Sequence, residues 1–136
     1  MSEQSVVRVV VAGVDAATMA QMATDAGGGL IEAVAIGDMQ GARLVKQGAA
    51  HFYLGTCWSG GGGALAAATA LLGGSKVGIA GTPGMAVTES KINQLLGEGK
   101  IAFGFPYEQS KSAIPVIIKA ILQQERSKAT EGGTHV

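Results

Sequence analysis

The chain has 136 residues, of which 47% are hydrophobic and 15% charged, and its 10 basic and 10 acidic side chains cancel. That length can bury a real core in one domain, and that apolar content excludes a disordered chain. Balanced charge without a basic stripe interleaved with aromatics excludes nucleic acid as an expected partner.

VVRVVVAG (6–13) is a short β-branched run closed by glycine, the pattern of a buried parallel strand. Helix formers follow at 16–26 and stop at Gly27, Gly28 and Gly29. LIEAVAIG (30–37) predicts a second strand, and Asp38 is the expected N-cap of a helix that ends at Gly48. HFYLGTC (51–57) is a third strand, followed by a glycine run and the helix ALAAATALLG (64–73). SKVGIAGTPG (75–84) is read as a fourth strand with a turn, TESKINQLLGEG (88–99) as a helix, and KIAFGFP (100–106) as a fifth strand. The last helix is expected over 107–125, with Pro115 kinking it or marking a late start.

Strict alternation of strand and helix predicts an α/β protein, a Rossmann-like three-layer α/β/α doubly wound sheet of about five parallel strands. One domain is expected over 1–126, with a polar tail at 127–136. Ligands of such folds sit beyond the carboxyl ends of the strands, where strand order reverses. The loops at 13–17, 37–40, 55–63, 81–88 and 104–107 are therefore the places for a site.

GTCWSGGGG (55–63) is the richest of them. A helix N-terminus offers N–H groups without intrahelical partners and the positive end of the helix dipole. The amides of Gly60, Gly61, Gly62 and Gly63 can approach an anion closely, and Thr56 and Ser59 add hydroxyls. No lysine precedes Ser or Thr after the glycines, so this is not a Walker A loop, and the dinucleotide fingerprint is absent after the first strand. The plainer alternative is a slack turn that lets Ala64, Ala66, Ala67 and Ala68 pack close to the sheet.

Cys57 is either a small buried hydrophobe or, at a strand end before a helix N-terminus, a general base or nucleophile. Asp15 is either a helix cap or an acceptor for substrate hydroxyls at the same rim. Thr82 adds a hydroxyl to a site or belongs to a plain turn. Trp58 stacks on a ligand or packs in an interface, and Tyr107 and Glu108 begin the last helix at the same rim. The only histidines are His51 and His135. His51 is at the far end of its strand, so neither a metal site nor a Ser-His-Asp triad is expected, and no cofactor is implied.

One cysteine excludes an internal disulfide and fits a reducing compartment. The segment MSEQSVVRVVVAG lacks the basic start of a signal peptide. No uninterrupted apolar run reaches the about 18 residues of a membrane span. A cytoplasmic homo-oligomer that touches no membrane is the expectation.

FYLGTCWSGGGGALAAA, IAGTPG and GEGKIAFGFPYEQSKSAIPVIIKAIL occur in the order and spacing of the YhfU-like family of bacterial proteins of unknown function, which this chain resembles. The resemblance spans almost the whole chain and implies no activity. More distantly, Cys57, Trp58, Ser59 and the following glycines resemble the cysteine and Gly-Thr-Gly-x-Gly loop of type B ribose-phosphate and galactose-phosphate isomerases. GVDAAT (13–18) is similar to their Gly-Cys-Asp-His stretch, with Asp15 on the aspartate. That resemblance implies that Cys57 is the base moving a proton between sugar carbons and that Ser59 steadies the enediolate oxygen. Ala16 stands where that family has histidine, Trp58 where it has glycine, and no arginine lies between the last strand and Arg126.

Three expectations follow. The first is binding of an anionic small molecule, phosphorylated or carboxylate, at 55–63. The second is a sugar-phosphate isomerase-like enzyme using Cys57, Ser59 and Asp15. The third is a structural subunit of a homo-oligomer.

Overall fold

The computed structural model describes residues 6–58 and 62–134. Its strands are β1 (Val7–Gly13), β2 (Ile31–Ala35), β3 (Phe52–Cys57), β4 (Val77–Ile79) and β5 (Ala102–Pro106). Its helices are α1 (Ala16–Ala26), α2 (Asp38–Lys46), α3 (Gly63–Leu72), α4 (Glu89–Gly97) and α5 (Ser110–Thr134), with short 3₁₀ turns at Gly74–Lys76 and Tyr107–Gln109. The strands form one sheet in the order β2-β1-β3-β5-β4, parallel throughout. This is the expected three-layer α/β/α arrangement.

Side chains alternate across a strand, and β1 uses both faces. Val9 and Val11 pack with Met19 and Ala23 of α1, Ile92 of α4 and Ile114 and Ile117 of α5 in one core. Val10 and Ala12 pack with Tyr53, with Ala42 and Val45 of α2 and with Ala64 and Ala68 of α3 in the other. Right-handed crossovers require this division, because the connections through α1 and α4 run one way along the sheet and those through α2 and α3 the other. Chain direction reverses at β1, whose neighbours β2 and β3 lie on opposite sides. That opens a crevice between the carboxyl ends of β1 and β3.

Three boundaries differ from the sequence expectation. Gly37 caps α2, and Asp38 is its first helical residue, its Oδ1 accepting from the Met39 N–H at 2.7 Å. β4 has three residues, Val77–Ile79, shorter than the strand-with-turn expected over 75–84. It is an edge strand, Pro83 has no N–H for a ladder, and Thr82 and Met85 exchange backbone hydrogen bonds of 3.1 and 2.9 Å in a turn. The last α-helix starts at Ser110, includes Pro115 and runs through most of the expected polar tail to Thr134. The bond that Pro115 cannot make is to the carbonyl of Lys111, an exposed residue in the first turn where water can replace it.

Candidate functional site at the carboxyl rim

The seam between β1 and β3 is the floor of the crevice. Gly13 lies opposite Thr56 with φ of 106°, and a Cβ there would stand 1.9 Å from the Thr56 carbonyl oxygen. Only glycine fits both the left-handed backbone and that approach. The Val14 N–H donates to the same oxygen at 3.1 Å. The Thr56 hydroxyl donates back to the Val14 carbonyl at 2.7 Å, with the Ala12 carbonyl 3.3 Å away. Thr56 is 1% exposed. The hydroxyl expected to meet a ligand is turned inward and ties two strands together.

Above the seam, α3 starts close to the sheet. The buried Tyr53 hydroxyl donates to the Ala64 carbonyl, anchoring the first turn of α3. Burial, and secondarily the Asp38 carboxylate, raises the Tyr53 phenol above its ordinary range. The Gly62 N–H donates to Cys57 Sγ at 3.1 Å, and a Cβ on Gly62 would lie 3.1 Å from Cys57 Cβ. The N–H groups of Leu65 and Ala66 both reach the Gly62 carbonyl at 3.1 Å. By helix geometry the amides of Gly63 and Ala64 have no intrahelical acceptor. Gly63 is exposed, and among the described residues nothing beyond its chain neighbours and its own helix backbone lies within 4 Å of where its Cβ would be. Ser59, Gly60 and Gly61 lie outside the described residues.

Asp15 occupies the N-cap position of α1 but makes no capping bond. At φ 53°, ψ 42° it has the left-handed backbone, and no other non-glycine among the described residues has a positive φ. Its Oδ2 instead accepts from the Tyr107 hydroxyl at 3.2 Å. That bond, then the carboxylate charge, holds the Tyr107 phenol above its ordinary range. Trp58, 72% exposed, meets the Tyr107 ring edge-on, with centroids 5.6 Å apart and planes at 75°. Cys57 and Pro106 are in register at the ends of β3 and β5, so Trp58 and Tyr107 follow paired residues.

Six of the residues singled out from sequence thus gather beyond β1, β3 and β5: Asp15, Cys57, Trp58, Gly62, Gly63 and Tyr107. Thr82 does not join them. It follows β4, two strands from β3 and so roughly 10 Å along the sheet. It lines a separate cavity of about 320 Å³ with Ile79, Met85 and Lys91. Its carbonyl accepts from Gln109 Nε2 at 2.8 Å.

Sequence reasoning passed over Lys111, which shares a cavity of about 340 Å³ with Tyr107, Glu108 and the methionines of α1, Met19 and Met22. The signal was its place in the first turn of the last helix, which starts at the carboxyl rim. Arg43 and Lys46 sit in the last turn of α2, at the opposite rim. His51 is also at that rim, its Nδ1 accepting from the Arg8 N–H at 2.9 Å. Among the described residues no three His, Cys, Asp or Glu side chains are grouped to hold a metal, and no helix is long and apolar enough to cross a membrane.

Solved structures with this fold include the type B ribose 5-phosphate isomerase of Trypanosoma brucei, with a TM-score of 0.67 and 15% identity. That match covers 93% of this chain and 96% of the isomerase. The type B ribose 5-phosphate isomerase of Trypanosoma cruzi matches with a TM-score of 0.63 at 12% identity, covering 96% of this chain and 99% of that one. At such identities the likeness establishes the Rossmann-like fold. In sequence, the chain is 37% identical over 90 residues to "Uncharacterized protein YhfU" of Escherichia coli strain K12, covering 66% of this chain and 77% of that protein, and equally to its counterpart in Shigella flexneri. The family described as "Protein of unknown function DUF2620" matches residues 7–121, and the chain belongs to it.

Proposed function

We propose that the chain binds a small phosphorylated or carboxylated metabolite at the carboxyl rim, with the anionic group on the amides that open α3. The observation that carries this is the exposed start of α3. Among the described residues nothing outside its own helix closes over Gly63, and its amide and that of Ala64 have no acceptor within the helix. The positive end of the helix dipole adds to their attraction for an anion.

Gly63→Pro tests the reading. Proline is accepted at the first position of a helix but has no N–H, and among the described residues nothing beyond the chain neighbours and that helix stands close to its ring. Inorganic phosphate or ribose 5-phosphate should raise the melting temperature of the wild-type chain. At a hundred times the Kd the stabilisation is about 2.7 kcal/mol, a rise of several degrees. Gly63→Ala should keep that rise and Gly63→Pro should lose most of it. No rise in the wild type, or an equal rise in the proline variant, sinks the reading.

A second reading adds chemistry, favoured by the 3.1 Å bond from the Gly62 N–H to Cys57 Sγ. A donor of that kind steadies negative charge on sulfur, as a general base needs before it removes a carbon-bound proton. Aldose–ketose isomerisation of a sugar phosphate is the reaction class, supported by the fold shared with the type B isomerases. In this reading Cys57 takes the proton from one carbon and returns it to the neighbouring carbon. Solvent deuterium should enter ribose 5-phosphate with the wild-type chain and not with Cys57→Ala. If the wild type exchanges no deuterium with a panel of aldose and ketose phosphates, Cys57 is not that base.

A further inference from the structure

Three loops are tied together at the end of β3 by contacts that neither reading of the site has used. Asp15 follows β1 and Tyr107 follows β5, and these strands lie on opposite sides of β3. The 3.2 Å bond between them therefore joins the two flanks of β3, across 92 positions of sequence. Trp58, from the end of β3 itself, braces the Tyr107 ring edge-on. On its other side, the turn carrying Tyr107 is held by the buried Ser110, whose hydroxyl donates to the Tyr107 carbonyl at 2.5 Å.

The backbone of Asp15 gives this bracket its meaning. An aspartate at an N-cap ordinarily accepts from the first turn of its own helix. Asp15 makes no such bond and has a left-handed backbone, a conformation side chains rarely adopt. Strain at a residue whose side chain has also left its local partner points to a task for that side chain elsewhere.

We infer that Tyr107 is a positioning residue: its phenol holds the Asp15 carboxylate away from α1 and at the crevice, where the second carboxylate oxygen accepts a ligand hydroxyl. Trp58 keeps the phenol in place from the side of β3. The ligand class that this arrangement selects carries a hydroxyl as well as an anionic group, so a bare anion does not exploit it. The inference rests on the anion-binding reading above and adds the second half of the ligand.

Two probes separate the two claims. Inorganic phosphate engages α3 alone, whereas ribose 5-phosphate engages α3 and Asp15. With the full chain, Tyr107→Phe should weaken ribose 5-phosphate about tenfold and change phosphate affinity by less than about twofold, because only a charge-assisted hydrogen bond is lost. Asp15→Asn should do the same. The double variant should be no weaker than Asp15→Asn alone, since Tyr107 acts through Asp15. Equal losses for both probes, no loss for either, or additive losses in the double variant overturn the inference.

A readout without ligand decides the case in which neither probe binds the wild type. The chain has two tyrosines, and Tyr107→Phe identifies which ultraviolet tyrosinate titration belongs to Tyr107. That phenol should titrate above the ordinary 10.0 in the wild type and return toward it in Asp15→Asn. Absence of binding then removes the anion reading, and absence of the return overturns the Tyr107–Asp15 pair.

Discussion

The β3–α3 and β4–α4 crossings both leave the carboxyl rim through glycines, and the fold treats them in opposite ways. At β3–α3 the contacts lie beneath the chain. Gly13, Thr56 and Tyr53 fasten the seam and the first turn of α3 from the core side, and Gly63 is exposed. At β4–α4 a side chain closes over the loop. Gln109 reaches from the 3₁₀ turn before α5 and donates to the carbonyls of Thr82 and Met85 at 2.8 and 3.3 Å. A Cβ on Gly81 would stand 2.6 Å from Gln109 Oε1 and 2.8 Å from Val87 Cγ2. One crossing is fastened from beneath at the start of its helix, the other by a side chain that bonds to its carbonyls while residues 83–86 stay exposed. A glycine-rich turn is therefore a candidate binding loop only where the fold holds it from below.

The largest expected effect is at the seam. Gly13→Ala combines a positive φ with a Cβ 1.9 Å from a carbonyl oxygen that already accepts the Val14 N–H. Neither atom can move without separating β1 from β3 in the middle of the sheet. Urea denaturation should show a loss on the order of 3 kcal/mol. Gly84→Ala, in the β4–α4 turn, also has a positive φ, 87°, but open space around the new methyl group. Its loss should be about 1 kcal/mol. Equal losses would mean that the seam is no firmer than the turn.

Tyr53 comes next. Tyr53→Phe removes the donor to the Ala64 carbonyl and should cost about 1 kcal/mol at neutral pH. Its pH dependence is more telling. The folded chain raises the Tyr53 phenol above the ordinary 10.0, so near and above that value the folded state holds a proton that the unfolded chain releases. Stability is therefore full below pH 10 and falls as pH rises beyond it. The wild type should lose stability steeply above pH 10 and Tyr53→Phe much less. If the two decline in parallel, the phenol does not anchor α3 through a buried hydrogen bond.

Much of this architecture was legible in the sequence, because parallel strands buried on both faces are written as β-branched runs closed by glycine. VVRVVVAG is such a run, and HFYLGTC is a short aromatic and aliphatic run set before a glycine stretch. β4 was overextended because hydrophobicity continues through IAG while ladder pairing does not, and only the sheet order makes it an edge strand. For the site, the sequence places Cys57 and Asp15 at one rim, since each follows a strand in the same sense. It cannot show that the Thr56 hydroxyl turns inward, which depends on the register of β3 with β1. Nor can it show that Asp15 forgoes its cap for Tyr107, a contact made across 92 residues. Thr82 was grouped with the glycine loop because both end strands, and they are two strands apart only because β5 inserts between β3 and β4.

The smallest effect bears on the second crossing. Gln109→Leu removes both bonds to the 82–85 turn, which should cost about 1 kcal/mol. In the wild type, however, Gln109 Oε1 is buried without a hydrogen-bond partner among the described residues, an unfavourable state of similar size. Leucine removes that orphan as well as the bonds, so global stability should change by less than about 1 kcal/mol. Local order should respond differently. The Thr82 and Met85 amides bond only across their own turn, at 3.1 and 2.9 Å, and Gln109 clamps both carbonyls of that turn. Hydrogen exchange at these two amides should quicken by about tenfold in Gln109→Leu, with exchange in α3 unchanged. Unchanged exchange at Thr82 and Met85 would show that Gln109 rests on the turn without holding it. The two crossings would then differ only in what lies beneath them.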